Sequence, residues 1–392
     1  MKKTVLATIS MAAGRGMNSR LKGSAPISVV LVALFAIGPR LTPPVSAQEG
    51  HKCEGEAATI VGTEGDDDLK GTDSIDVIVA LGGNDTVRGF EATDYVCGGS
   101  GKDTLYGGSQ NDVLSGGDGN DHLVGRGGPD DLTGGRGDDV IRGGAGKDLF
   151  SGERLTDDTV EVGDDRYDGG AGRDSFWLGF TEIPTHVDLS QERAFSEGRD
   201  VLLDIEDVAG SRQTSNRLIG DEERNRLLGG GEGDVKHGRG GNDLIAAGFD
   251  SKDDRLEGGR GDDRLRGSLG DDTAFVGGPG TDTLRFVDAR YQDLFVDLSS
   301  GIVSSEGESG TLAGIENVST GAGDDRLVGS DERNVLDGGP GKGADDLRGA
   351  DGDDVLIGRG GQDKGDGGPG TDTCVEIERR VSCKEEKPGL AS

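Results

Sequence analysis

The chain has 392 residues, 75 of them Gly, with 31% hydrophobic and only 4% aromatic residues, a composition that without order would be that of a disordered chain rather than a globular one. Its 75 acidic against 42 basic residues leave a net charge of −33, which argues against nucleic acid and anionic membranes as partners and favours cations.

Lys2, Lys3, Arg15, Arg20 and Lys22 precede an apolar run from Ile27 to Ile37, followed by Pro39, Pro43, Pro44 and the small-residue site Val45-Ser46-Ala47. This layout predicts a secretory signal peptide over 1–47, cut after Ala47, with an apolar run too short to span a bilayer comfortably. Met17 is an alternative start, and an uncleaved anchor the alternative reading. No second apolar segment follows, so the expectation is a secreted, soluble chain with no membrane span. Residues 1–47 hold six basic and no acidic residues, so the remaining 345 carry 36 Lys and Arg against 75 Asp and Glu.

Residues 48–61 are expected to form an N-terminal cap. From Gly62 to Ser151 the chain then reads as ten consecutive nonapeptides without insertion or deletion. The sixth place holds Asp67, Asp76, Asp85, Asp94, Asp103, Asp112, Asp121, Asp130, Asp139 and Asp148, and the eighth Leu69, Ile78, Val87, Val96, Leu105, Leu114, Leu123, Leu132, Ile141 and Phe150. The first half of each block is Gly-rich and polar, suited to a tight turn with positive φ, and the second is a short extended piece with one aliphatic side chain pointing to one face. Stacking puts those aliphatics on a common inner face, which predicts an all-β fold, a parallel β-solenoid.

Energetics account for the aspartates. Ordering nine residues costs roughly 9 to 18 kcal/mol of backbone entropy. One buried Leu or Ile returns about 1.5 to 3 kcal/mol, and each ladder hydrogen bond about 1 kcal/mol at most. The metal-free chain is therefore expected to fold poorly, and rows of like charge make it worse. A hard divalent cation such as Ca²⁺, which takes six to eight oxygens from carboxylates and carbonyls, corrects both faults and joins binding to folding.

The blocks GGSGKDTLY, GGDGNDHLV and GGRGDDVIR resemble the RTX, or haemolysin-type, calcium-binding repeat GGxGxDxUx, where U is a large aliphatic. The resemblance implies a parallel β-roll with two nonapeptides per turn and multiple Ca²⁺ ions held between turns by sixth-place carboxylates and loop carbonyls. It also implies that Asp85 faces Asp103, Asp94 Asp112, Asp103 Asp121, Asp112 Asp130, and Asp121 Asp139.

Beyond Ser151 the pattern is interrupted. Residues 152–210 hold a degenerate repeat, then GGAGRDSFW with the sole Trp, Trp177, then an insertion. Repeats are expected again over 211–285, a second insertion over 286–319, and a third block over 320–375. Val187-Asp188-Leu189 matches Val296-Asp297-Leu298, and Ile205-Glu206-Asp207-Val208 matches Ile315-Glu316-Asn317-Val318, so the C-terminal half contains an internal duplication. The family resemblance implies that both insertions are longer solenoid turns. Further metal ligands are expected at Asp243, Asp254, Asp263, Asp272, Asp282, Asp325, Asp346 and Asp354. Asn216, Asn225 and Asn334 take the sixth place without charge, which predicts weak or empty sites. Lys236 and Gly365 take inner places, which predicts poor packing there.

The four cysteines, even in number in an exported chain, favour disulfides Cys53–Cys97 and Cys374–Cys383, with free thiols or metal ligands as the alternative. In strict register Cys53 and Cys97 lie more than two turns apart, so that bond requires residues around Cys53 to fold back as a cap. Residues 376–392 are expected to be a disulfide-closed cap and tail.

No HExxH or GxSxG motif is present, and repeats begin about fifteen residues after Ala47, so no catalytic domain is expected. The two Arg-Gly-Asp tripeptides, 136–138 and 260–262, arise inside the repeat. The reading is a secreted calcium-binding structural protein that folds on binding Ca²⁺ outside the cell. The alternatives are a calcium-dependent adhesin or matrix protein with a cell-surface partner and, more remotely, a hydrolase with its site around Trp177 and His186.

Overall fold

A computed structural model describes residues 50–152, 163–179, 184–195, 199–231, 233–248, 253–270, 272–286 and 293–385. The signal peptide expected over 1–47 lies outside them.

Within each nonapeptide the seventh place begins a strand, as in Thr104–Ser109, Val113–Asp118, His122–Gly127 and Asp131–Arg136. The strands pair in parallel with those eighteen residues away. Leu105, Leu123 and Ile141 stand side by side in one ladder, and Val96, Leu114, Leu132 and Phe150 in the other. Two nonapeptides therefore make one turn of a parallel β-solenoid. Because side chains alternate along a strand, the eighth place of both ladders points inward and the seventh and ninth outward. The inner row from Ile78 to Phe150 is fully enclosed and forms one continuous core reaching Leu227, while Leu69, in the first turn, is half-buried. Among the described residues the only helical element is a 3₁₀ turn, Leu189–Gln191.

Most corners of the first block place a left-handed residue at the second place. At Gly117, with φ 116°, a Cβ would stand 2.0 Å from the carbonyl oxygen of Gly99 in the turn below. Phe90 and Arg126 accept the same conformation, with φ of 93° and 81°, despite its cost to a residue with a side chain.

After Ser151 the spacing first widens. Ile141 stands beside Tyr167 and Phe150 beside Phe176, 26 residues on in both ladders. The rings of Phe150, Tyr167 and Phe176 pack edge to face at centroid distances of 5.8 and 4.9 Å and fill the interior.

The two segments expected to be longer solenoid turns fold otherwise. Thr185–Asp188, Arg193–Phe195 and Asp200–Leu203 run antiparallel to their neighbours, with the last strand laid parallel to Arg166–Gly172 and the first parallel to Asn216–Ile219. Phe295–Asp297, Ile302–Ser305 and Glu308–Ala313 repeat the arrangement between Thr273–Val276 and Arg326–Val328. Each excursion thus adds two strands to one ladder while the other continues directly, Phe176 to Val208 to Leu227 and Leu284 to Val318 to Leu336. The reversals run through left-handed Glu192, at φ 55°, and Gly301, at φ 70°. Val187, Ala194 and Leu202 in the first excursion and Val296, Val303 and Leu312 in the second keep the core filled.

The N-terminal cap covers a flank rather than the end. Lys52–Cys53 and Glu56–Ala57 form a hairpin whose two loop residues, Glu54 and Gly55, both have positive φ. It packs on the outward Val77 and Val79, and Cys53 bonds Cys97 with Cα atoms 5.7 Å apart. At the other end Cys374 takes an inner place beside Leu356 and bonds Cys383. The packing fault expected at Gly365 is absent: a Cβ there would stand 2.7 Å from Ile377 Cδ1 and 3.0 Å from Cys374 Sγ, so neighbours already fill the space. Lys236 is likewise fully enclosed rather than poorly packed.

Candidate metal sites

Sixth-place aspartates line the corners between the ladders in two unbroken series. The backbone N–H of Asp85 donates to Asp103 Oδ1 at 2.8 Å, that of Asp103 to Asp121, and that of Asp121 to Asp139. The second series runs from Asp76 to Asp94, Asp112, Asp130, Asp148 and Asp174. The residues expected to face one another therefore do so, joined through one carboxylate oxygen and one amide.

The other carboxylate oxygen is left over. Oδ2 of Asp85, Asp94, Asp103, Asp112, Asp121, Asp130 and Asp148 is buried without a hydrogen-bond partner, as is that of Asp174, Asp243, Asp263, Asp282, Asp325, Asp354, Asp363 and Asp372. A buried carboxylate oxygen without a partner is costly, and here it recurs turn after turn. Its effect is visible in acidity. Burial pushes Asp112 and Asp130 up to about 7 and Asp121 and Asp148 up to about 6; the accepted N–H opposes the shift, and the like charge of a neighbouring turn adds to it. Asp243, Asp282 and Asp345 are also pushed up to about 7 and Asp325 to about 6, again chiefly by burial.

The leftover oxygens are aimed at carbonyls. Where a Cβ on Gly98 would stand, Asp103 Oδ2 and the Gly116 carbonyl oxygen lie 2.4 and 2.6 Å away, and at Gly258 the pair is Asp263 Oδ2 and Gly277 O at 2.2 and 2.7 Å. Among the described residues no three acidic, His or Cys side chains converge on one point, and every cysteine is in a disulfide. A cation held here must therefore take much of its shell from carbonyls, as a hard oxygen-seeking ion does.

A family model for the RTX calcium-binding nonapeptide repeat matches residues 61–96, 98–132, 124–158, 161–179, 213–245, 250–284, 311–342 and 341–374, well over half of the chain. The chain belongs to the RTX calcium-binding repeat family. No curated protein matches it. The oxygen pairs fit the calcium that RTX repeats bind.

Not every turn is of this open kind. Asp67 and Asp76 accept the N–H of Thr63 and Thr72 on Oδ2 at 2.6 Å, and each threonine hydroxyl donates there too at 2.9 Å. Asn225 and Asn334 accept Asp221 and Ser330 N–H in the same way. These closed turns lack the left-handed second residue found at Gly99, Gly117, Arg126 and Gly259.

Two positions assigned from sequence are displaced. Asp272 is exposed; Phe275 fills the inner place, so Thr273, two residues before it, stands level with Asp254 and is buried. Asp346 lies on the outer face against Arg348, and Asp345, two residues before inner Leu347, joins the series between Asp325 and Asp363. Asp254 itself is buried and accepts the Asp234 N–H. Asp165, Asp174, Asp200, Asp363 and Asp372 also occupy sixth-place positions that the sequence reading did not assign as ligands.

Glu206, Glu316 and Glu378 close three series, accepting the N–H of Asp174, Asp282 and Asp363 at 2.7 Å. Each follows a buried isoleucine, Ile205, Ile315 or Ile377, and the duplicated Ile-Glu pair was the signal for two of them.

The other motifs are absorbed by the scaffold. Asp138 and Asp262 of the Arg-Gly-Asp tripeptides accept Asp164 and Thr281 N–H within a ladder of fifth-place residues. His186 stacks near Phe195, and Asp188 accepts Ser190 and Gln191 side chains rather than an imidazole.

Proposed function

We propose that this protein is an exported, non-catalytic calcium-binding β-roll that completes its folding when Ca²⁺ enters its open turns outside the cell. The observation that carries the reading is the recurrence of buried, partnerless Oδ2 atoms, those of Asp94, Asp103, Asp121, Asp130, Asp243 and Asp263 among them standing with a carbonyl oxygen of the next turn. Asp85, Asp94, Asp103, Asp112, Asp121, Asp130 and Asp148 in the first block, and Asp243, Asp263, Asp282, Asp345, Asp354, Asp363 and Asp372 after it, would hold the metal together with corner carbonyls. Calcium supplies the positive charge that lets these groups stay ionised inside the corner. The residues themselves fix one oxygen on a backbone amide and leave the second for the ion.

Export follows from the reading of residues 1–47 and from calcium logic: weak oxygen sites fill where calcium is about millimolar, outside the cell. Far-UV circular dichroism during calcium titration of the chelated protein tests the proposal. A cooperative gain of β signal that magnesium does not reproduce is expected, since magnesium demands a tighter octahedral shell. A spectrum indifferent to calcium would refute it.

A further inference from the structure

The inner aliphatic row is broken by a charge at Lys236, which stands between Leu218 and Leu256 in its ladder and is 0% exposed. Its four-carbon stem replaces the missing aliphatic, and its head turns into the corner. Nζ lies 2.9 Å from the Ala247 carbonyl oxygen, 3.1 Å from Asp234 Oδ2 and 3.7 Å from Asp254 Oδ1. Beside Gly229, Asp234 Oδ2 and Ala247 O converge as Asp103 Oδ2 and Gly116 O do beside Gly98, and here the ammonium touches both.

The neighbouring turns are completed from within as well. Asn216 Nδ2 donates to Asp234 Oδ1 at 2.8 Å and to the Ser211 and Thr214 carbonyls, while its Oδ1 accepts Ser211 N–H. Asn225 Oδ1 accepts Asp221 N–H, and Asp234 Oδ2 accepts Gly230 N–H at 3.1 Å. An amide placed where an aspartate would stand supplies its own donor and carries no charge to neutralise. A buried ammonium is tolerated only when paired, so Lys236 needs these carboxylates as much as they need it, and it would repel a divalent ion at this distance.

We propose that the Lys236 ammonium takes the place of calcium between Asp234 and Asp254, and that the turns carrying Asn216, Asn225 and Asp234 fold without metal, dividing the calcium-responsive array in two. This rests on the reading that open turns take calcium. It makes the segment from Ser211 to Gly240, which stops short of the open turn at Asp243, a metal-independent nucleus from which the flanking blocks extend when calcium arrives, as stacked repeats stabilised by their nearest neighbours allow.

Hydrogen exchange on the whole protein, with and without chelator, together with calcium counting by equilibrium dialysis, tests it. In the wild type, chelation should abolish protection over 98–139 and leave 211–240 protected. Lys236→Met keeps the volume and removes the charge, so it should bind one more calcium per chain and lose protection over 211–240 on chelation, regaining it with calcium. An unchanged count with unchanged metal-free protection in the variant overturns the assignment. Should the variant fail to fold even in calcium, the wild-type arm decides: loss of protection over 211–240 equal to that over 98–139 overturns it alone. If 98–139 does not respond to calcium, the reading of the open turns fails instead.

Discussion

Acid should partly replace calcium. Asp112, Asp130, Asp243, Asp282 and Asp345 are each pushed up to about 7, chiefly by burial. The unfolded chain holds an aspartate near 3.9, so the difference is about 3 units, or at most about 4 kcal/mol per group. Discounted for screening by the solvent that reaches the corners, about 2 kcal/mol remains. Five such groups oppose folding of the metal-free chain at neutral pH by about 10 kcal/mol, comparable to the whole net stability of about 5 to 15 kcal/mol of a typical domain. Because the folded-state values are raised, the folded chain binds more protons than the unfolded one between about pH 4 and 7, so metal-free stability falls as pH rises through that window and levels off above it. With calcium bound the dependence reverses, since the ligands must be ionised and protons compete with the metal. The assay is guanidinium unfolding followed by far-UV circular dichroism at about pH 8 and about pH 5.5, in chelator and in calcium. Both conditions stay above the isoelectric point near 4.4, where the chain would precipitate. The metal-free midpoint should be higher at the lower pH, and the calcium-bound midpoint lower there. A metal-free midpoint equal at both, or higher at the upper one, would refute the account of the buried carboxylates.

Asp345→Asn should raise the calcium concentration needed for folding, whereas Asp346→Asn and Asp272→Asn should leave it unchanged; calcium titrations by circular dichroism compare the three. Leu123→Ala removes a fully buried inner side chain and should cost about 2 to 5 kcal/mol in the calcium-bound protein, read from the denaturant midpoint. Replacing Cys53 and Cys97 together by Ser opens a loop whose ends are 44 residues apart in sequence. By loop entropy this should cost about 4 kcal/mol in the calcium-bound protein, checked by denaturation in calcium.

The sequence by itself determined the repeating part. A nine-residue period with an aliphatic two places after each aspartate leaves one way to bury one face of every strand, and it puts Asp85 through Asp148 in register at the buried corners because no residue is inserted between them. It also carried both disulfide pairings, as a consequence of cysteine number and the length of the shorter loop. What the tertiary structure decided lies where the period breaks. Which of two adjacent acidic residues turns inward, Asp345 rather than Asp346, depends on the inner side chain two places later, and that choice is settled only when Leu347 docks against its neighbours. The antiparallel excursions at 185–203 and 295–313 were hidden because a strand's direction leaves no trace in its own composition; pairing partners distant in sequence fix it. Lys236 reads in sequence as a defect, and only the stacking of its turn on the next brings two carboxylates and a carbonyl around its ammonium. Local pattern sets which way each side chain points. Whether a charge pointed inward is a fault or a substitute for a metal is decided by what the neighbouring turns place beside it.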